Sequence, residues 1–582
     1  MSNIYKEISA NSNYPQPNRK MKANVSDVEI SDSTKSTGIR RDRIGVVLCI
    51  LCCELCERLT YYSIGGNLVL YCTNELKYTS ADATTVAFIF TGTTYFVPVF
   101  GGWIADSVSG KFNAIFGAAL IYCIGTTILP VISIDYTQFG QTLGLTVGQK
   151  QGFFICGLTL IAIGTGGIKS NVGPFGAQQL DDLGEGAVKS FFNWFYWFIN
   201  VGSAIAFSGV AYVQQEIGFD VGFAIPAVSI ILAIVVLMIG RKWYRMRPPE
   251  GSVFNTVAKI IFQGLSQIRK PKPAGVTSYS WLDRAKTSYG GHFSDVKVEE
   301  VKSLGRLIPI FLVLIFYWTV YFQMNTTYLL QGERMRLTYN DFTIPVAGLN
   351  LFNTLIILIL VPFVDRYLYQ YLARKGYPLS QLKRIGVGMV LAVVSMIVAA
   401  SIEFARKADI QKNGYIQQEV GGKTFNASDL SVFAQIPQYT FIGASEVFAS
   451  ITSLEFAYSQ APVSMQGVIM GFCLLASGLG SYLGSLLVTV VNAITFGAEW
   501  IPNEINNGHL EYFFLLLAGI MFLNFLVFLL IAKQYRYVED RPLDLQPELP
   551  PDDLFNQNGQ RSREPGRDSV GETTALLSDS EM

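Results

Sequence analysis

Two glutamates and an arginine stand inside one of the longest apolar runs of the chain, in the stretch CILCCELCERLTYY, residues 49–62. At 100° per residue, Glu54, Glu57, Arg58 and Tyr61 (i, i+3, i+4, i+7) share an arc of about 100° on a helix and form one polar stripe. A charge at the centre of a membrane helix costs roughly 2.5–3.5 kcal/mol on insertion scales, against about half a kcal/mol recovered per Leu or Ile. The stripe must therefore face a water-filled cavity or a partner helix. Other apolar runs carry similar groups: Lys169 in GTGGIKSNVGPFG, Tyr196 and Asn200 in FYWFIN, and Tyr95, Asn353 and Glu446 singly. Two acids and a base in one run, a lone base in a second and a lone acid in a third suit a zwitterionic ligand and a proton.

The same stretch holds Cys49, Cys52, Cys53 and Cys56, a CxxCCxxC string that invites a metal reading. Geometry rejects it: the set spans about 10 Å of one rigid helix, whereas thiolates sharing a zinc ion converge to about 2.3 Å from it. These small side chains, about 140° around the helix from the polar stripe, read as a packing face. With Cys72, Cys123, Cys156 and Cys473 they all lie in or at the ends of apolar runs, which argues against a disulfide framework.

The elements that must position these residues follow from composition. The chain has 582 residues, 50% hydrophobic and only 15% charged, which points to a membrane protein. Its formal net charge is zero, so nothing suggests nucleic acid. Runs of the roughly 20 residues needed to cross about 30 Å of hydrocarbon recur at about 44–72, 84–106, 112–133, 150–172, 189–213, 220–240, 303–325, 342–366, 384–403, 432–456, 464–494 and 511–533. This is an all-α protein with twelve expected transmembrane helices. The polar first 43 residues have no apolar core or cleavage site, so no signal peptide is expected to be removed. Arg40, Arg41 and Arg43 before span one, Lys111 after span two, Arg241, Lys242, Arg245 and Arg247 after span six, and Arg374, Lys375, Lys383 and Arg384 between spans eight and nine place both termini in the cytoplasm. Arg406, Lys407 and Lys412, read as following span nine, would lie on the opposite side.

Five regions result: a cytoplasmic tail (1–43), a six-helix bundle (44–240), a cytoplasmic loop rich in Lys, Arg, Pro and Ser (241–302), a second bundle (303–534) and a tail (535–582) whose Pro, Asp and Glu predict disorder. The 6+6 layout resembles that of major facilitator transporters, in which two bundles rock about a midplane site. GGWIADSVSGK, residues 101–111, resembles that superfamily's inter-helix motif after span two. The last tail ends GETTALLSDSEM, where Glu572 stands four residues before Leu576-Leu577, the pattern of an acidic dileucine sorting signal read by clathrin adaptors. Asn426, in NAS, is an N-glycosylation acceptor on the side expected to be luminal, while Asn325, in NTT, lies too near the membrane.

Three motifs together carry a resemblance. ELCERLTYY (54–62) resembles the ExxERxxYY element of the proton-coupled oligopeptide transporter family, with Leu59 where many members have Phe; GTGGIKSNVGPFGAQQ and FYWFINVG resemble its other two signatures, in the expected order. The resemblance implies that Arg58 and Lys169 hold a substrate carboxylate and that Glu446 holds its amino group and closes a gate by pairing with Lys169. It implies that Glu54 and Glu57, with Arg58 and Glu446, serve proton coupling. Tyr61, Tyr62, Tyr95, Asn200 and Asn353 match pocket positions, and Tyr321 joins them. Making or breaking the Lys169–Glu446 pair would release or bind a proton.

The departures narrow the branch. Tyr321 and Phe322 stand where many peptide symporters have acids, Gly65 where bacterial members have an arginine, and Phe88 where mammalian plasma-membrane carriers have a histidine; the only histidines are His292 and His509. With only about 30 residues between spans nine and ten, this resembles the peptide/histidine branch of endolysosomes. The expected function is a symporter exporting di- and tripeptides and L-histidine from lysosome or endosome, with the plasma membrane as the other location. Its partners are the substrates, the bilayer, clathrin adaptors and, on a rival reading, a cytosolic signalling adaptor of innate immunity for which the carrier is a scaffold. A nitrate or other anion carrier is a third reading. No cofactor or metal is expected, protons being the coupling ion, and no nucleophile and base pairing, metal spacing or phosphate loop points to an enzyme.

Overall fold

The computed structural model describes residues 41–134, 145–249, 251–269, 280–340, 342–377, 379–462, 465–535 and 537. The sorting signal at Glu572, Leu576 and Leu577 lies outside these residues. Among the described residues, ten helical segments are long and apolar enough to cross a membrane. Their outward faces carry exposed Ile124, Val228 and Leu530, as lipid-facing surfaces do. The two other expected spans are also helical and carry Glu54, Glu57 and Arg58, and Glu446: Arg41–Gly66, and the segment from Ile436 to Gln460, which a π-helical turn at Glu446–Ile451 interrupts.

Three expected boundaries move, each for a local reason. The first span stops at Gly66 and resumes as Leu68–Asn74, because Asn67 turns its amide onto the Ala211 carbonyl and Gln214 Oε1, both at 3.1 Å. Span eight begins at Asn350 rather than 342, since Phe342–Thr343 pairs with Thr338–Tyr339 in a small hairpin. Span nine runs from Gln381 to Asn413, so Arg406, Lys407 and Lys412 belong to the helix and not to a loop. Arg406 is fully buried there, its Nε donating to Glu403 Oε2 at 3.0 Å one turn earlier, and the long helix hides what composition reads as a loop charge.

Within the first half, Arg41–Gly66 packs on Glu185–Ile205 and Phe219–Gly240, and Lys111–Ser133 on Val147–Lys169. In the second, Gln381–Asn413 packs on Ile436–Ser445 and Leu510–Gln534, and Ile308–Tyr321 on Gln466–Ile494. The halves meet along Ser80–Ile104 and Gln466–Ile494, where Ser481 Oγ donates to the Phe88 carbonyl at 2.7 Å. Phe88 is buried in this seam and serves as a packing position.

The ends of the two halves remote from loop 241–302 are closed on each other. A hairpin, Ile416–Val420 with Lys423–Ala427, lies across them. Its turn accepts hydrogen bonds from Asn74 Nδ2 of the first half, at Val420 O (3.0 Å) and Gly421 O (3.3 Å). Its Gln418 Nε2 donates to the carbonyls of Glu333 (3.1 Å) and Met335 (2.7 Å) in the second. Gln215 adds a clamp, its Oε1 accepting from Val346 N at 3.1 Å, and Tyr212 stacks on Phe342 at 5.6 Å.

Loop 241–302, read as a loop rich in Lys, Arg, Pro and Ser, contains a helix, Val253–Ser266, a short 3-10 turn, Trp281–Ala285, and the start of a second helix, Asp295–Gly305, which runs past its expected end. Asp283 ties them: burial opposes its ionisation, but hydrogen bonds from Lys302 and Lys286 hold its carboxyl below the usual range.

Candidate functional site

The glycines of GTGGIKSN explain where Lys169 sits. A Cβ at Gly164 would lie 2.7 Å from Tyr122 Cα and 2.8 Å from the Ala118 carbonyl, and one at Gly101 would lie 2.8 Å from Gly167 Cα. Spans two, three and four thus approach at backbone distance, as small residues allow in membranes. Asn171 locks the contact by donating to the carbonyls of Gly101 (3.1 Å) and Gly167 (2.8 Å). Lys169 is carried between the first two helices of the half.

The polar stripe of the first helix faces inward. Glu54, Glu57, Arg58 and Tyr61 are all buried. Arg58 Nε donates to Glu57 Oε2 at 2.5 Å and stands 3.1 Å from Glu54 Oε1, so two carboxylates share one guanidinium. The second oxygens, Glu54 Oε2 and Glu57 Oε1, have no hydrogen-bond partner among the described residues. The cysteine side faces the helix Phe219–Gly240 instead, where Ser229 Oγ donates to the Cys56 carbonyl at 3.0 Å.

Lys169 Nζ stands 3.3 Å from the centroid of the Tyr95 ring and 5.8 Å from that of Tyr61. No anionic group pairs with it among the described residues; its charge rests on aromatic faces. On the other side of the site Glu446 opens the π-helical turn, a local widening that recurs at functional positions. Tyr321 Oη donates to Glu446 Oε2 at 2.6 Å, and Asn353 Nδ2 donates to the same oxygen at 3.4 Å. The gate pair expected between Lys169 and Glu446 is not made in this conformation. An aromatic path separates them, with Tyr95 against Phe322 at 5.6 Å and Phe322 against Tyr321 at 5.4 Å.

Tyr95 and Glu446 line a cavity of about 570 Å³ with Tyr196, Leu314, Trp318, Ile357, Val361, Ile451, Leu454, Cys473 and Ser477. Most of these lie toward the ends of their helices that adjoin loop 241–302, the side opposite the hairpin. Tyr62 packs edge-on to Tyr61 at 5.2 Å and on Phe207 at 5.3 Å. Asn200 turns onto its own helix, donating to the Tyr196 carbonyl at 2.7 Å. Trp318, Ile357, Val361 and Leu454 were not anticipated. An apolar residue in an apolar run gives no signal that it faces a cavity rather than lipid. Gly65 has open space where a Cβ would stand, and Phe322 is packed among Tyr95, Trp318 and Tyr321.

Comparison with known proteins gives this arrangement a family. The description "PTR2: POT family" matches residues 112–503. The chain belongs to the POT family. Among curated relatives, Protein NRT1/PTR FAMILY 8.1 of Arabidopsis thaliana is 35% identical over 537 residues, covering 83% of this chain and 92% of the relative. Solute carrier family 15 member 3 of Rattus norvegicus is 33% identical over 547 residues, covering 87% and 94%. The crystal structure of an auto-inhibited POT family peptide transporter superposes with a TM-score of 0.71 at 26% identity, covering 86% of this chain and 99% of that one. The protein is thus a multi-pass membrane transporter of the peptide-carrying POT family, not an enzyme.

Proposed function

We propose that this POT family transporter is a proton-coupled symporter that moves di- and tripeptides, and L-histidine, from an acidic endolysosomal lumen to the cytosol. Two six-helix bundles, 44–240 and 303–534, alternate access to the site between them, with both termini cytosolic. On that orientation the sealed hairpin side is luminal and the cavity faces the cytosol.

One observation carries the reading. The bases Arg58 and Lys169 belong to the first half and the acid Glu446 to the second, so a zwitterion between them engages both halves by its opposite ends. Lys169, resting on Tyr95 rather than on a carboxylate, is available to a substrate carboxylate. Glu446, held by two neutral donors, is available to an ammonium. Glu54 and Glu57 share Arg58. A substrate carboxylate drawing on Arg58 would weaken that hold and favour protonation of one acid, which couples the two fluxes. The exposed Asn426, on the strand Lys423–Ala427 of the hairpin, suits a luminal glycan, and the dileucine tail signal suits delivery to endolysosomes.

The test is uptake into proteoliposomes under an imposed pH gradient, with a dipeptide, histidine and nitrate presented side by side. Proton-driven dipeptide uptake that Glu57→Gln and Lys169→Ala each abolish is the expected result. Undiminished uptake by both variants, or competition by nitrate but not by peptide, would overturn the assignment.

A further inference from the structure

The helix Val253–Ser266 of the inter-half loop has two faces. Val257, Ile260, Gln263 and Gly264 are buried, Gly264 lying under the Trp281 ring, where an added Cβ would stand 3.1 Å from it. Asn255, Ala258, Phe262 and Leu265 share an arc of about 80° on the other face. All four are exposed, and Phe262 is 75% exposed, far more than its size would lead one to expect in water. Lys259 and Arg269 flank them, both exposed.

Two contacts set the depth and direction of this face. Phe254 seats on Gly471, near the start of the span Gln466–Ile494, so the helix begins level with the end of the membrane segments. Trp103 Nε1 donates to Asn255 Oδ1 at 2.9 Å. Trp103 ends the span Ser80–Ile104, whose Phe100 and Ile104 are exposed on the perimeter. Asn255 therefore turns its face of the helix toward the same perimeter, at the level where tryptophans mark the edge of a bilayer.

Charge completes the pattern. No Asp or Glu occurs from Gly251 to Leu282, whereas Lys259 and Arg269 stand beside the apolar patch. The nearby acids are occupied elsewhere: Asp283 is bound by Lys286 at 2.9 Å and also by Lys302, and Glu299 by Lys302 at 2.8 Å and Lys286 at 2.5 Å. An exposed face that joins bulky apolar groups to bases with no acidic partner among the described residues matches the boundary of an anionic leaflet.

We propose that the helix Val253–Ser266 lies on the cytosolic leaflet, with Phe262 and Leu265 at the acyl boundary and Lys259 and Arg269 against anionic lipid headgroups. The linker between the halves is thereby held to the membrane. The proposal shares with the transport reading only its cytosolic placement of the loop, and its test involves no transport.

The full chain is placed in nanodiscs of phosphatidylcholine with and without phosphatidylserine, and hydrogen exchange is followed over 253–269. Phosphatidylserine is expected to slow exchange severalfold. The double variant Lys259→Glu/Arg269→Glu should lose that difference, and Phe262→Ser/Leu265→Ser should exchange faster in both lipids, while the span Gln466–Ile494 keeps wild-type protection as the folding control. A photoreactive phenylalanine at position 262 should give lipid adducts. Identical exchange in both lipids, or adducts confined to protein, would overturn the proposal, the latter showing a protein-docking face instead.

Discussion

Glu333 offers a prediction whose size can be worked out. It lies one residue beyond the helix Thr327–Gly332, beneath the hairpin that closes the far side, and is 1% exposed. Arg334 Nη1 approaches its Oε2 at 3.3 Å, and its Oε1 has no hydrogen-bond partner among the described residues. Burial pushes its carboxyl from an ordinary 4.5 up to about 7, against the pull of Arg334 and Lys423 and with the help of Glu504. An acid raised in the folded state binds its proton more tightly there than in the unfolded chain. Its contribution to stability is therefore complete below the unfolded value and is lost as pH rises through the folded one. Between about pH 5 and about pH 7.5 the loss from this one group is on the order of 2 kcal/mol. Glu333→Gln keeps the shape and removes the titration, while Arg334 keeps Glu504, 3.0 Å from its Nε. Thermal unfolding in nanodiscs across that range should show the variant gaining on the wild type as pH rises, with the two profiles converging toward pH 5. Parallel profiles, or a variant that loses ground at neutral pH, would refute the burial argument. On the proposed orientation, an acidic lumen would tighten the closed side.

Three further outcomes follow from named contacts. Tyr321→Phe removes the short hydrogen bond to Glu446 and leaves the long one from Asn353; bonds to charged groups contribute about 1.5–3 kcal/mol, so peptide KM should rise about tenfold or more in uptake assays. An unchanged KM would mean that Glu446 does not meet the substrate in this geometry. Asn74→Ala removes both hydrogen bonds from the first half to the hairpin turn, each contributing about 0.5–1.5 kcal/mol. Spin-label distances between the halves on that side should broaden toward an open population, and an unaltered distribution would remove the hairpin from the seal. Gly164→Ala drives a methyl into Tyr122 and the Ala118 carbonyl and should destabilise by about 1–3 kcal/mol, read as a lower unfolding midpoint.

Much of the candidate site's placement was legible in the sequence because each helix declares its own polar face. The i, i+3, i+4, i+7 spacing placed Glu54, Glu57, Arg58 and Tyr61 together, and all four are buried on one side of Arg41–Gly66. Lys169 and Glu446 stood out as charges that lipid excludes. The hairpin 416–427 and the structured loop were not legible, because polar stretches of those lengths look the same whether folded or loose. Nor was the true role of Arg406, since its burial against Glu403 depends on a helix extending beyond its apolar part.

The sequence by itself determined the membrane segments and the inward-facing charges, because both follow from the cost of putting polar groups in hydrocarbon, a property of each segment alone. Only the tertiary structure decided the partners. Tyr321 and Glu446 are 125 residues apart, Asn74 and the hairpin turn 346 and 347, and Lys169 meets an aromatic ring instead of the acid. Which of several buried donors reaches a given carboxylate depends on where neighbouring helices cross, and for Lys169 backbone contact at Gly101 and Gly164 sets that crossing.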